Sequence, residues 1–156
     1  MNKIASALAL AAVVATPAMA EARQVTFKTQ LKSYGGNGAY VVIYVTDASG
    51  KYAGTLWMAG GKSKYYRHLT DWRRLSGGNR SEIDGITGAS VGSGQTLGIT
   101  LDLADTLIDA GYEIHIDTAV EDMRENPSDV TVPLTSAGAG KPVKGRGYVK
   151  AFTYNM

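Results

Sequence analysis

Ala39-Tyr40-Val41-Val42-Ile43-Tyr44-Val45-Thr46 runs into Asp47-Ala48-Ser49-Gly50-Lys51 and then Tyr52-Ala53-Gly54-Thr55-Leu56-Trp57-Met58. This stretch decides the fold. β-Branched and aromatic residues fill both alternating faces of the first run, so it reads as a strand covered on both sides and central in its sheet. Asp47–Lys51 has the composition of a hairpin turn, with Gly50 at the left-handed position. Tyr52–Met58 returns as the partner strand.

The same period of two continues outward. Val25, Phe27, Thr29 and Leu31 alternate with Thr26, Lys28 and Gln30. Thr96–Leu101, Tyr112–Ile116, Val130–Leu134 and Tyr148–Tyr154 complete a set of about seven strands, the number of an immunoglobulin-type domain. The chain has 19 Gly in 156 residues, and they cluster between these runs, at Gly35-Gly36, Gly60-Gly61, Gly77-Gly78 and Gly138–Gly147. Short strands with glycine-rich turns predict an all-β, immunoglobulin-like two-sheet β-sandwich. Lys64–Leu75 (KYYRHLTDWRRL) breaks the pattern. Tyr65, Leu69, Trp72 and Leu75 recur at helical spacing, which predicts one short helix of about three turns with Trp72 on its buried side. Ala104–Ala110 predicts a brief helical turn, ended by Gly111.

Composition excludes several chemistries. There is no Cys, so zinc knuckles, iron–sulfur clusters and thiol catalysis are excluded. Two His cannot form a multi-histidine metal cluster. A net charge of +2 without a basic stripe predicts no nucleic-acid partner. Met1–Ala20 (MNKIASALALAAVVATPAMA) has a single Lys, an Ala-rich apolar run and an Ala18-Met19-Ala20 box. It reads as a secretory signal peptide cleaved after Ala20, leaving Glu21–Met156 as a single domain in the periplasm. No later apolar segment is long enough to span a membrane.

Familiar catalytic motifs are missing. There is no P-loop and no H-E-x-x-H. Glu121–Asp129 (EDMRENPSD) reads as a solvated loop and His115 as an ordinary histidine on a sheet face. Arg67, Arg73, Arg74 and Arg80, interleaved with Tyr65, Tyr66 and Trp72, offer cations and rings to a phosphate or a flat ligand. Asp84-Gly85-Ile86-Thr87-Gly88-Ala89-Ser90 follows no hydrophobic period. Its small residues leave the Ser90 hydroxyl open to a modifying enzyme, and a neutral serine needs activation from outside to act as nucleophile.

This segment resembles the flavinylation motif, Asp-Gly/Ala-x-Ser/Thr-Gly-Ala-Thr/Ser, with Ser90 where Thr is commoner. The resemblance implies FMN attached at Ser90 through a phosphoester by a flavin transferase. Asp84, Gly85, Thr87, Gly88 and Ala89 would be recognition elements. Trp72, Tyr65 or Tyr66 could pack on the ring, and Arg73, Arg74 or Arg80 could pair with the phosphate. The wider chain resembles a family of predicted periplasmic proteins of unknown function, β-sandwich in character and often found with PepSY-type membrane proteins and flavin transferases. AYVVIYVTDASGKYAGTLW, YYRHLTDWRRL, DGITGAS and DAGYEIHIDTAVEDM carry that resemblance. Val91-Gly92-Ser93-Gly94 stands where the family continues with a Pro-Gly-His-like stretch, so no ligand role for a histidine carries over. The resemblance implies a periplasmic electron carrier that exchanges electrons with a PepSY-type partner. The alternative is a non-enzymatic accessory module of a membrane system for metal or haem-iron handling.

Overall fold

In the computed structural model, which describes residues 21–156, the hairpin is β2 (Tyr40–Thr46) and β3 (Tyr52–Ala59). The leader Met1–Ala20 lies outside the described residues. β1 (Ala22–Leu31), β5 (Thr96–Ala104) and β8 (Val149–Asn155) form one sheet in the order β5-β1-β8. The second sheet runs β4-β3-β2-β6-β7, with β4 (Thr87–Gly88), β6 (Glu113–Ala119) and β7 (Asn126–Pro133). Every pairing is antiparallel except β3 with β4. The chain folds as an all-β two-sheet sandwich.

Six of its strands keep immunoglobulin-like positions. In the immunoglobulin lettering, β1, β2, β3, β5, β6 and β7 occupy the positions of strands B, C, C′, E, F and G. The place of strand A, beside B, is filled by β8, the last strand in chain order.

β2 is buried on both faces because each face meets a different layer. Val41, Ile43 and Val45 pack between the sheets with Val25 and Phe27 of β1, Ile114 and Ile116 of β6, and Phe152 of β8. Val42 and Tyr44 point the other way, into a second core with Met58, Tyr66, Leu69, Trp72 and Ile83. The helical segments between β3 and β4 roof this second core.

That roof is not one continuous helix. A 3₁₀ turn spans Ser63–His68 and α1 spans Thr70–Ser76. Leu69 separates them at φ −89° and ψ 77°, with its side chain fully buried. Leu69 cannot cap α1 through its side chain, and the first-turn amides need an acceptor from elsewhere. Asp117 of β6 supplies it, accepting from the Trp72 backbone N–H at 2.7 Å. Gly77, at φ 78°, closes the other end by donating its N–H to the Arg73 carbonyl at 3.0 Å. The expected turn after β5 forms as a 3₁₀ turn at Asp105–Leu107.

A second expectation changes as well. Glu121–Asp129 is not solvated throughout, because β7 begins at Asn126 and Asp129 is buried. The Asp129 carboxylate accepts from the Thr118 hydroxyl at 2.7 Å and from the backbone N–H groups of Gly147 at 2.7 Å and Val149 at 3.2 Å. It ties β6 and β7 to the start of β8 across the sandwich.

His115 has a structural setting. It stacks on Tyr44 with ring centroids 5.2 Å apart and bonds the hydroxyls of Thr46 at 3.0 Å and Thr131 at 3.3 Å. Burial lowers its pKa below the ordinary 6.5, outweighing the charges of Glu113 and Asp71. A histidine held below its unfolded value contributes stability that is complete above that value and lost as pH falls through the folded one. The urea midpoint should therefore fall between about pH 7 and pH 5. His115→Gln should flatten that slope; an unchanged slope would move the acid sensitivity to another group.

Candidate functional site

The Asp84–Ser90 segment is built from both ends. The Asn79 side chain accepts from Ser81 N–H at 3.1 Å and starts the 3₁₀ turn Arg80–Ile83. Ile83 and Glu82 are buried beneath it, and Glu82 accepts from the Tyr52 hydroxyl at 3.0 Å. Asp84 and Gly85 stand exposed where the chain turns. The Thr87 hydroxyl donates back to the Ile83 carbonyl at 2.8 Å. The Met58 and Gly60 N–H groups of the β3 edge donate to the Ile86 carbonyl at 2.9 Å and the Gly88 carbonyl at 2.8 Å. The motif is thereby stitched to the sheet as β4.

Gly88 lies on the Trp57 indole, where a Cβ would come within 2.8 Å of the ring. Beyond it, Ala89 and Ser90 are exposed. Val91 then pairs with Ala39 at the entry to β2, through hydrogen bonds of 2.6 and 2.9 Å. Ser90 is thus held between two anchored points. Its hydroxyl makes no hydrogen bond among the described residues. Gly38 faces it, and a Cβ there would stand 2.6 Å from Ser90 Oγ. The missing side chain keeps that space open.

Ser90 lies on the wall of a groove of about 850 Å³. Its other walls include Tyr40, Tyr65, His68, Glu121 and Met123. Glu121 is fixed by the Tyr65 hydroxyl at 2.8 Å and the Asn37 amide at 3.2 Å. The bond to Glu121 also raises the Tyr65 phenol pKa. Tyr40 and Tyr65 meet edge to face at 5.5 Å, and the Tyr40 hydroxyl accepts from Lys62 N–H at 2.9 Å. His68 pairs with Glu125, joining the 3₁₀ turn to the loop before β7. Lys62, Arg67 and Arg124 add positive charge around the rim. The volume lies within the range of small-molecule sites, and the lining mixes aromatic, cationic and anionic groups.

Not every residue singled out in the sequence reaches this groove. Trp72 is 1% exposed, with its indole N–H donated to the Thr55 hydroxyl at 2.8 Å. It is a core residue, as the helical spacing predicts, and it presents no open face for stacking beside Ser90. Arg74 is exposed and bonds Asp71 at 3.0 Å, outside the groove. Neither Ser90 nor Ser93 partners His115, and Ser93 Oγ accepts from Gly35 N–H at 3.0 Å. Among the described residues no group of three or more His, Asp or Glu side chains is placed to hold a metal ion. Sequence reasoning missed Gly38, Tyr40, Trp57 and the His68–Glu125 pair. Tyr40 has one signal, its aromatic ring at the outer end of the central strand. The others depend on chain segments far apart in sequence.

The structure fits a group carried on Ser90. An exposed, unpartnered hydroxyl stands on a braced loop, with a glycine opposite and a groove beside it. Gly38→Ala should displace Ser90 Oγ while leaving the fold intact, since Gly38 lies outside the core. If Ser90 is the acceptor, a displaced nucleophile should be modified about a hundredfold more slowly. The check is a time course of modification beside a thermal melt.

A model of the family described as predicted periplasmic protein (DUF2271) matches residues 22–151. No curated protein and no solved structure matches the chain.

Proposed function

The chain belongs to this predicted periplasmic family, and we propose that it is a redox-associated carrier bearing FMN covalently on Ser90. One observation carries the reading: the flavinylation-like segment Asp84–Ser90 holds the Ser90 hydroxyl exposed, and without a partner among the described residues, at the wall of an open groove. A flavin transferase joins Ser90 Oγ to the FMN phosphorus of a flavin dinucleotide donor as the pyrophosphate bond breaks, the nucleoside monophosphate leaves and the serine proton is released, so the chain gains one FMN less water. Asp84 and Thr87 shape the segment the transferase reads. The bound flavin supplies one- and two-electron transfer, and the protein supplies position and field.

The residues of this chain then have distinct tasks. β4 and the Ala39–Val91 bridge fix where Ser90 stands. Tyr40, Tyr65 and Met123 offer the surfaces on which a flat ring packs, and Lys62 and Arg67 the positive charge that a phosphodiester favours. A PepSY-type membrane protein is the electron partner in this reading. Co-expression with an exported flavin transferase should give a band that fluoresces as flavin in a denaturing gel. A chain that stays non-fluorescent beside a fluorescent known acceptor would refute the reading.

A further inference from the structure

The 3₁₀ turn Ser63–His68 divides two concave sites. Lys62, Tyr65, Arg67 and His68 line the groove beside Ser90, whereas Ser63 and Tyr66 line a separate pocket of about 190 Å³ with Trp72, Arg73, Gly78 and Arg80. The two lining sets share no residue.

The charges of this second pocket are unbalanced. Arg23 pairs with Asp105 and Arg74 with Asp71, while Arg146 bonds the carbonyls of Pro127 and Ser128. Arg73 and Arg80 have no carboxylate within 4.0 Å among the described residues. The nearby Glu82 is buried and bonded to Tyr52. Arg80 donates to Ser63 Oγ at 2.9 Å, which leaves the serine proton free to be donated in turn. The floor is aromatic: Tyr66 and Trp72 meet edge to face at 6.1 Å, and both are buried. Two guanidinium forks and a hydroxyl above an apolar floor match the several oxygens of a tetrahedral dianion better than the two of a carboxylate. The volume amounts to about six waters at roughly 30 Å³ each, enough for a phosphate and the first atoms of its substituent.

We propose that Ser63, Arg73 and Arg80 form a binding site for a small phosphate monoester. The site does not rest on the Ser90 reading, because the groove and the pocket are separate. Inorganic phosphate and phenyl phosphate are the probes, titrated at constant ionic strength into the purified chain while the arginine Nε–H signals are followed by NMR. The Arg73 and Arg80 signals should shift and saturate with both probes. Arg73→Gln and Arg80→Gln should each weaken binding about tenfold, as expected for a lost charge-assisted hydrogen bond. Arg74→Gln, on the same helix but tied to Asp71, should leave binding within about twofold. Absence of saturation, or an equal loss in Arg74→Gln, would overturn the site. So would vesicles of phosphatidic acid that bind the chain through Arg80 while the free phosphates do not saturate, because the face would then belong to a membrane surface.

Discussion

Asp117→Ala should destabilise the chain by about 3–5 kcal/mol, the scale of leaving three donors without their buried acceptor at about 1–3 kcal/mol each. Asp117 is fully buried on β6. Its carboxylate accepts the Tyr44 hydroxyl at 2.9 Å, Ser128 N–H at 2.8 Å and Trp72 N–H at 2.7 Å. Alanine leaves all three donors without that acceptor and uncaps α1. The roof over Val42, Tyr44 and Met58 then loses its tether. Asp117→Asn should cost less but not be neutral, because one position that accepts now becomes an NH₂ facing a donor. Urea unfolding followed by tryptophan fluorescence measures both variants. A loss below about 1 kcal/mol for the alanine variant would mean that α1 is held by apolar packing alone. Burial is the largest influence on the Asp117 pKa and raises it above 3.8. This carboxylate is therefore protonated more readily in the fold than in the unfolded chain. The stability it contributes is greatest below the unfolded value and declines as pH rises through the folded one. Loss of stability between neutral and mildly acidic pH is expected from His115 instead.

Ser90→Ala should abolish covalent flavin attachment while changing stability by no more than about 0.5 kcal/mol. The two effects separate because Ser90 is exposed and its hydroxyl has no hydrogen-bond partner among the described residues. Ser90→Thr should retain attachment, since threonine is the commoner acceptor in the motif this segment resembles. The comparison is made under denaturing conditions, so that only a covalent flavin counts. Undiminished flavin in Ser90→Ala would place the acceptor elsewhere and leave Asp84–Ser90 as a structural corner.

The fold was legible where local pattern and tertiary role agree. The double-sided apolar run of β2 reads as a central strand, and it lies in the middle of its sheet, between β3 and β6. The helical period placed Trp72 inside, where it lies. The break at Leu69 was not legible, because the acceptor that makes it tolerable comes from Asp117, a residue far along the chain. Asn126–Asp129 looked solvated for a similar reason. Its charge is satisfied by Thr118 and by backbone near β8, a pairing that no local window contains.

The Asp84–Ser90 segment stood out because its glycines follow no apolar period, but its surroundings did not. Gly38, Tyr40, Ser90 and Glu121 meet only after β2, the motif and the loop beyond β6 are assembled. Trp57 reads as one more residue of a strand, and only the parallel pairing of β3 with β4 brings it under Gly88. The cluster of arginines was visible in the sequence. Its division into an Arg74 bonded to Asp71 and an Arg73 and Arg80 without a carboxylate partner among the described residues depends on where Asp71 points.

Intact mass decides whether Ser90 carries FMN. The chain is co-expressed with an exported flavin transferase whose activity is shown on a known acceptor, then purified and weighed. A gain of one FMN less water is expected, absent in Ser90→Ala. An unmodified mass beside a modified acceptor would mean that Ser90 carries no flavin.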